Sequence, residues 1–255
     1  MFDLLRTRLA QRRSTSAFPG GEVTLPERFR GRPALSTTGE SLAANPPGLA
    51  TPMLRTDARQ LPVLDVGACQ FSPEEAFDAP GGQVRFTTDH RMASATRDGL
   101  VTPTGEVELA GALNERMLRL FGRSLRFRSV AAGSCSGCEA ELVALSNVVF
   151  DMARFGIQFV ASPRHADGIL ITGVVNRNMC DALERTYAAV GDPRLVIVVG
   201  ACAISGGPFR GSSEVLGVPD GIPVDLWVPG CPPHPYTLLD GLLRLLGRVE
   251  QRRES

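Results

Sequence analysis

Lysine is missing from this chain: all 27 basic residues are arginine. Arginine offers planar, bidentate pairing that lysine cannot. An absence spread over 255 residues follows genomic base composition, however, and carries no functional reading. Excess charge is missing too, because 27 acidic residues balance the 27 basic ones. No nucleic-acid partner is therefore expected. No apolar run approaches the ~20 residues of a membrane-spanning helix. Residues 1–13 alternate apolar and arginine positions and lack the apolar core of a signal peptide. Arg12-Arg13 is followed by no hydrophobic region, so it does not read as a twin-arginine signal. Six cysteines in a chain of this length do not form a disulfide scaffold. The expectation is a cytoplasmic chain with reduced thiols available as metal ligands.

What is present is a repeated arrangement of thiols after strands. Cys135 and Cys138 lie in Gly133-Ser134-Cys135-Ser136-Gly137-Cys138-Glu139, where a strand gives way to a helix. Cys202 follows the apolar run Leu195 to Val199, and Cys231 follows Val224 to Val228. Each time an apolar run ends, glycine lets the backbone turn, and a thiol appears just past it. In a parallel α/β sheet such points share the carboxyl edge, where these folds place their ligands. Four thiols meeting there would make a metal site. Glycines beside the cysteines would let backbone N–H groups approach sulfur. Helix N-termini after Cys138 and Cys231 would lower the thiol pKa values.

Other readings compete. Structural zinc sites use two compact ligand pairs, whereas 63 residues separate Cys138 from Cys202 and 28 separate Cys202 from Cys231. A thioredoxin-like redox pair would account for Cys135 and Cys138 but leave the other two thiols without a purpose. Buried cysteines acting as small hydrophobes suit Cys180, inside a helix, and Cys69. They do not suit four thiols flanked by glycine.

Cys135-Ser-Gly-Cys138-Glu139, Ser162-Pro-Arg-His-Ala-Asp167, Gly200-Ala-Cys202 and Val228-Pro-Gly-Cys231-Pro-Pro233 resemble the cluster-bearing small subunit of membrane-bound [NiFe] hydrogenases. They also resemble the homologous B-type subunit of respiratory complex I, with the motifs in that family's order from about Leu109 to Val249. The resemblance implies one [4Fe–4S] cluster held by Cys135, Cys138, Cys202 and Cys231. It also implies an oxidoreductase subunit with no catalytic residues of its own, peripheral on the inner face of the cell membrane. Its partners would be other complex I-like subunits and a large subunit carrying a nickel–iron centre or a quinone cavity. Complex I subunits usually open with two adjacent cysteines, so the spaced pair here favours the hydrogenase-like branch. The alternatives are a quinone-reducing B-type subunit and a non-redox assembly scaffold. Glu139, Arg164 and His165 are candidates for tuning the cluster, ordering its loop or meeting a partner. Each has an ordinary alternative as a helix-terminal carboxylate or turn residue. His234 is a candidate to titrate near the cluster, with no geometry given by the sequence.

Alternating segments predict a doubly wound, flavodoxin-like parallel sheet over residues 105–255. Helices are expected over Glu106–Phe121, Glu139–Phe155, Asn176–Val190 and Pro235–Glu250. Strands are expected over Leu125–Val130, Ile157–Ala161, Gly168–Thr172, Leu195–Val199 and Val224–Val228. Residues 1–104 read as an irregular arm that opens with a short basic amphipathic helix carrying Phe2, Leu4, Leu5 and Leu9. Phe18 to Pro33 resembles the opening of the ferredoxin-like subunit that partners these small subunits. Its two cysteine frames would fall on Leu35, Thr38, Ser41 and Asn45, and on Cys69, Ser72, Glu75 and Ala79. Only Cys69 is a cysteine, so this resemblance implies a ferredoxin module that lost its clusters and kept a docking role.

Overall fold

Upstream of residue 104 the described residues build only short pieces. The computed structural model describes residues 2–11, 14–35, 53–56, 62–73 and 84–249. Helix α1 (Phe2–Gln11) comes first, then β1 (Pro33–Leu35), β2 (Leu54–Thr56), β3 (Pro62–Asp65), β4 (Val84–Phe86) and β5 (Val101–Thr102). β1 pairs antiparallel with β4, and β3 lies between β2 and β5 in a second antiparallel sheet. The expected irregular arm thus holds two small sheets. Strands of two to four residues are too short to show a hydrophobic period. They enclose a core of their own from Met53, Leu64, Val66, Cys69, Phe71 and Val84. Of the two ferredoxin-like frames, Thr38, Ser41, Asn45, Glu75 and Ala79 lie outside the described residues.

From residue 115 the pattern is larger. Helix α2 (Glu115–Phe121) leads to β6 (Leu125–Ala131), α3 (Gly137–Ala144), β7 (Ile157–Phe159), β8 (Gly168–Thr172) and α4 (Arg177–Ala189). Then follow β9 (Leu195–Val199), α5 (Ala201–Ser205), β10 (Leu226–Val228) and α6 (Pro235–Leu245). All five strands of this half are parallel, in the order β10-β9-β8-β6-β7. Numbered within the sheet, that is the flavodoxin-like order, which reverses direction between β6 and β8. β8 and β9 are buried at every residue, as strands covered on both faces must be. Leu170, Ile197 and Val199 pack with Leu238, Leu239 and Leu242 of α6 on one face. Ile169, Ile171, Val196 and Val198 pack with Leu183 of α4 on the other.

Two expected helices are shorter than their periodicity suggests. Residues 106–114 form no helix and are held by neighbours: Glu108 N donates to Gly99 O, Ala110 N to Ala93 O and Leu113 N to Leu245 O. Asn114 then caps α2, its side chain accepting from Met117 N at 3.0 Å. Helix α3 ends at Ala144, because the Asn147 side chain accepts from Val149 N at 2.8 Å and Phe150 N at 3.1 Å. That local bonding offers the backbone an alternative to the helix. The last strand begins at Leu226 rather than Val224, because Asp225 turns back to accept from Val196 N at 2.8 Å. Among the described residues no helix is long and apolar enough to cross a membrane.

Candidate metal centre

The register of the sheet sets the site. Ala131 pairs with Thr172, Thr172 with Val199, and Val199 with Val228, so four strands end at one level. Cys135 lies four residues past its strand end, and Cys202 and Cys231 three residues past theirs. The loops are tied together there: Gly200 N donates to Val228 O at 2.9 Å and Ala201 N to Gly230 O at 2.8 Å. Cys138 is the second residue of α3 and Cys202 the second of α5.

The thiols lie within electrostatic reach of one another. Burial pushes the Cys138 thiol up to about 12, and Glu139, Cys202, Cys231 and Cys135 push the same way. Burial likewise raises Cys202 to about 11, with Cys231, Cys135 and Glu139 adding to it. The sequence leads one to expect helix N-termini to lower these pKa values. The structure reverses that expectation for Cys138, because desolvation and crowding of like charge outweigh the dipole of a short helix.

The pocket fits a sulfur-ligated group. A Cβ on Gly200 would stand 2.6 Å from Cys138 Sγ, and one on Gly207 2.8 Å from Cys202 Sγ. Only glycine leaves room beside these two thiols. An all-sulfur donor set selects zinc or iron–sulfur clusters. Among the described residues, no three His, Cys, Asp or Glu side chains are grouped so that one ion could be held.

The structure brings Glu139 to the cysteines. Its Oε1 accepts from Ser134 Oγ at 2.7 Å and from Thr172 Oγ1 at the end of β8, while its buried Oε2 has no hydrogen-bond partner. Arg164 and His165 are not brought there. They are exposed on the turn Pro163–His165, which enters β8 at its amino end, opposite the thiols. The same motif clamps that edge. Asp167 accepts from Arg126 N at 2.8 Å through its carboxylate and from Leu195 N at 3.1 Å through its carbonyl. Cys69 is fully buried in the small amino-terminal core, its sulfur accepting from Phe71 N at 3.3 Å. Cys180 is half-buried on α4. Neither is among the groups that shift the Cys138 or Cys202 thiol.

His234 caps α6, its Nδ1 accepting from Tyr236 N at 3.2 Å, and stacks on Tyr236 with ring centroids 5.3 Å apart. Burial first, then His90, lowers its pKa to about 4. Sequence reasoning missed the ion pair inside α6. Arg244 Nε donates to Asp240 Oδ2 at 2.7 Å, both side chains 4% exposed or less. The signal was there as an Asp–Arg pair four residues apart within a leucine-rich helix.

The family model described as "NADH ubiquinone oxidoreductase, 20 Kd subunit" matches residues 135–245, which contain all four thiols. The B-type subunit of NADH-quinone oxidoreductase from Desulfovibrio desulfuricans is 37% identical over 171 residues, covering 67% of this chain and 91% of that protein. Formate hydrogenlyase subunit 7 of Escherichia coli is 40% identical over 156 residues, and the match covers 61% of each chain. Among solved structures, a chain of the membrane-bound sulfane sulfur reductase, an archaeal respiratory membrane complex, is similar at TM-score 0.46 and 31% identity. That match covers 55% of this chain and 78% of the other. The chain belongs to the family of the 20 kDa subunit of NADH-ubiquinone oxidoreductase, which also includes small subunits of complex I-like hydrogenases.

Proposed function

We propose that this chain is the electron-transferring small subunit of a complex I-like, membrane-associated oxidoreductase. Cys135, Cys138, Cys202 and Cys231 hold one [4Fe–4S] cluster beside the reaction site of a partner large subunit. The observation that carries this reading is the gathering of four thiols past strand ends that share one register. When bound, such a cluster accepts and passes single electrons. The chain's own residues bind it, keep the loops tight through glycine, and order the Cys135–Cys138 loop through the Glu139 contacts to Ser134 and Thr172. Cys135 and Cys231 are exposed on this edge, which is the face a partner would cover. The hydrogenase-type reading rests on the spaced cysteine pair, and the alternative is a quinone-reducing B-type subunit.

Residues 1–104 would act as a degenerate ferredoxin-like docking unit, joined to the 105–255 domain and to neighbouring subunits. Leu4 and Leu9 of α1 are exposed among arginines, as suits a helix lying on a partner or on anionic lipid at the inner face of the membrane. The test is anaerobic purification of the chain within its complex, with iron and sulfide counted and EPR recorded. About four irons are expected from one cubane in this chain. They should be lost on Cys→Ala at 135, 138, 202 or 231 and kept in Cys69→Ala and Cys180→Ala. An iron count that survives those four substitutions would refute the assignment.

A further inference from the structure

The helix that carries Cys202 is only five residues long. One turn of helix has no stability of its own, so what packs against α5 decides where its thiol sits. The loops after β9 and β10 bind its start. Against it, from the amino-terminal half, packs the buried turn Val66–Ala68. Gly67 is the point of closest approach. A Cβ there would stand 2.7 Å from Ile204 Cγ2, 3.0 Å from Leu100 Cδ1 and 3.2 Å from Arg97 Nη1. The demand for glycine is steric, since Gly67 is not among the residues with positive φ.

The turn is itself held. Asp65, which directly precedes it and is fully buried, binds Arg55 Nη2 at 2.5 Å and Arg97 Nη2 at 2.6 Å through one oxygen. Its backbone N donates to Met53 O at 2.7 Å. Arg97 thus bonds Asp65 on one side and borders the Gly67 contact on the other.

We propose that the Val66–Ala68 turn is a positioning element of the metal centre. Gly67, seated on Ile204 and fixed by the Asp65–Arg97 pair, holds α5 and so aims Cys202. The amino-terminal half is then a working part of the ligand site, beyond its role as an attachment. This rests on the reading that the four cysteines hold a cluster.

The experiment compares full-length Gly67→Ala, Ile204→Ala and the double variant, with Arg85→Ala on β4 as a distant control. In apoprotein, the iodoacetamide alkylation rate of Cys202 is mapped by mass spectrometry, with Cys135 as internal reference. In loaded protein, the EPR spectrum and midpoint potential are recorded. Each single substitution should raise the relative Cys202 rate about fivefold or more, equivalent to ~1 kcal/mol of local opening. Each should also shift the EPR signal. In the double variant the new methyl occupies space vacated by Ile204, so both readouts should return toward wild type while Arg85→Ala moves neither. Single variants indistinguishable from wild type, or a double variant no better than either single, would overturn the proposal. If Gly67→Ala does not fold, Ile204→Ala decides alone by the same readouts. If the wild-type chain takes up no iron on anaerobic reconstitution while the variants still show the alkylation pattern, the cluster reading fails and the positioning role stands.

Discussion

Arg244→Met is the substitution whose cost the structure sets most directly. Arg244 and Asp240 face each other at 2.7 Å inside α6, nearly without water. Desolvating two charges costs about what their attraction returns, so the intact pair adds little net stability. Half of the pair is a different matter. Removing the guanidinium leaves the Asp240 carboxylate 2% exposed, beside a His90 that burial holds toward neutrality against the pull of Asp240 and Asp89. The expected loss is about 3–5 kcal/mol. In the double variant Arg244→Met, Asp240→Leu no charge is stranded, and stability should return to within ~1 kcal/mol of wild type. Urea unfolding followed by circular dichroism measures both, by linear extrapolation. His90 supplies a second readout. Its protonation would answer the stranded carboxylate, so the single variant should lose less near about pH 5.5 than near about pH 8. A single-variant loss below ~1 kcal/mol, or a double variant as damaged as the single, would refute the reasoning. The consequence reaches the metal centre, because α6 directly continues the loop of Cys231.

Gly200→Ala meets two obstacles, φ of +89° and a Cβ 2.6 Å from Cys138 Sγ. Most of the bound iron should be lost while far-ultraviolet dichroism stays native, and an unchanged iron count would show that the thiol cage tolerates a methyl there. A pH effect follows from His234, whose pKa falls from 6.5 to about 4 on folding. Below the unfolded value the unfolded chain takes up the proton first. This contribution is therefore complete above 6.5, lost as pH falls toward 4, and flat below that. Because the ring is partly solvated, its size is on the order of 1 kcal/mol. His234→Asn keeps a capping acceptor and should flatten that part of the stability profile in thermal melts; an identical slope in both proteins would count against it.

The position of the cysteines past strand ends was legible because glycine and cysteine stand directly after apolar runs, and Leu195–Val199 and Gly168–Thr172 form strands over the expected residues. Hydrophobic spacing misled where side chains intervene. Leu109 and Leu113 have helical spacing but lie in a chain segment bonded to Ala93 and Leu245. Val149 and Met152 continue the stripe of α3 past an asparagine that has already ended it. Arg164 and His165 share a motif with Asp167, and only the fold reveals that the motif belongs to the amino edge. The thiol pKa values depended on burial, which a spacing argument does not contain. The seat of α5 on Val66–Ala68 joins residues more than 130 positions apart, and no local pattern records it.

The distribution of the four thiols along the chain also orders events in time. Two lie at 135 and 138, but the third comes from the fourth parallel strand and the last from β10, at the sheet's outer edge. A ribosome must release the chain through Cys231 before all four can meet. A chain stalled or clipped after residue 200 keeps its first pair and can never complete the set. Metal capture by four sulfurs would then certify that the sheet has closed, and a defective copy would declare itself by staying colourless.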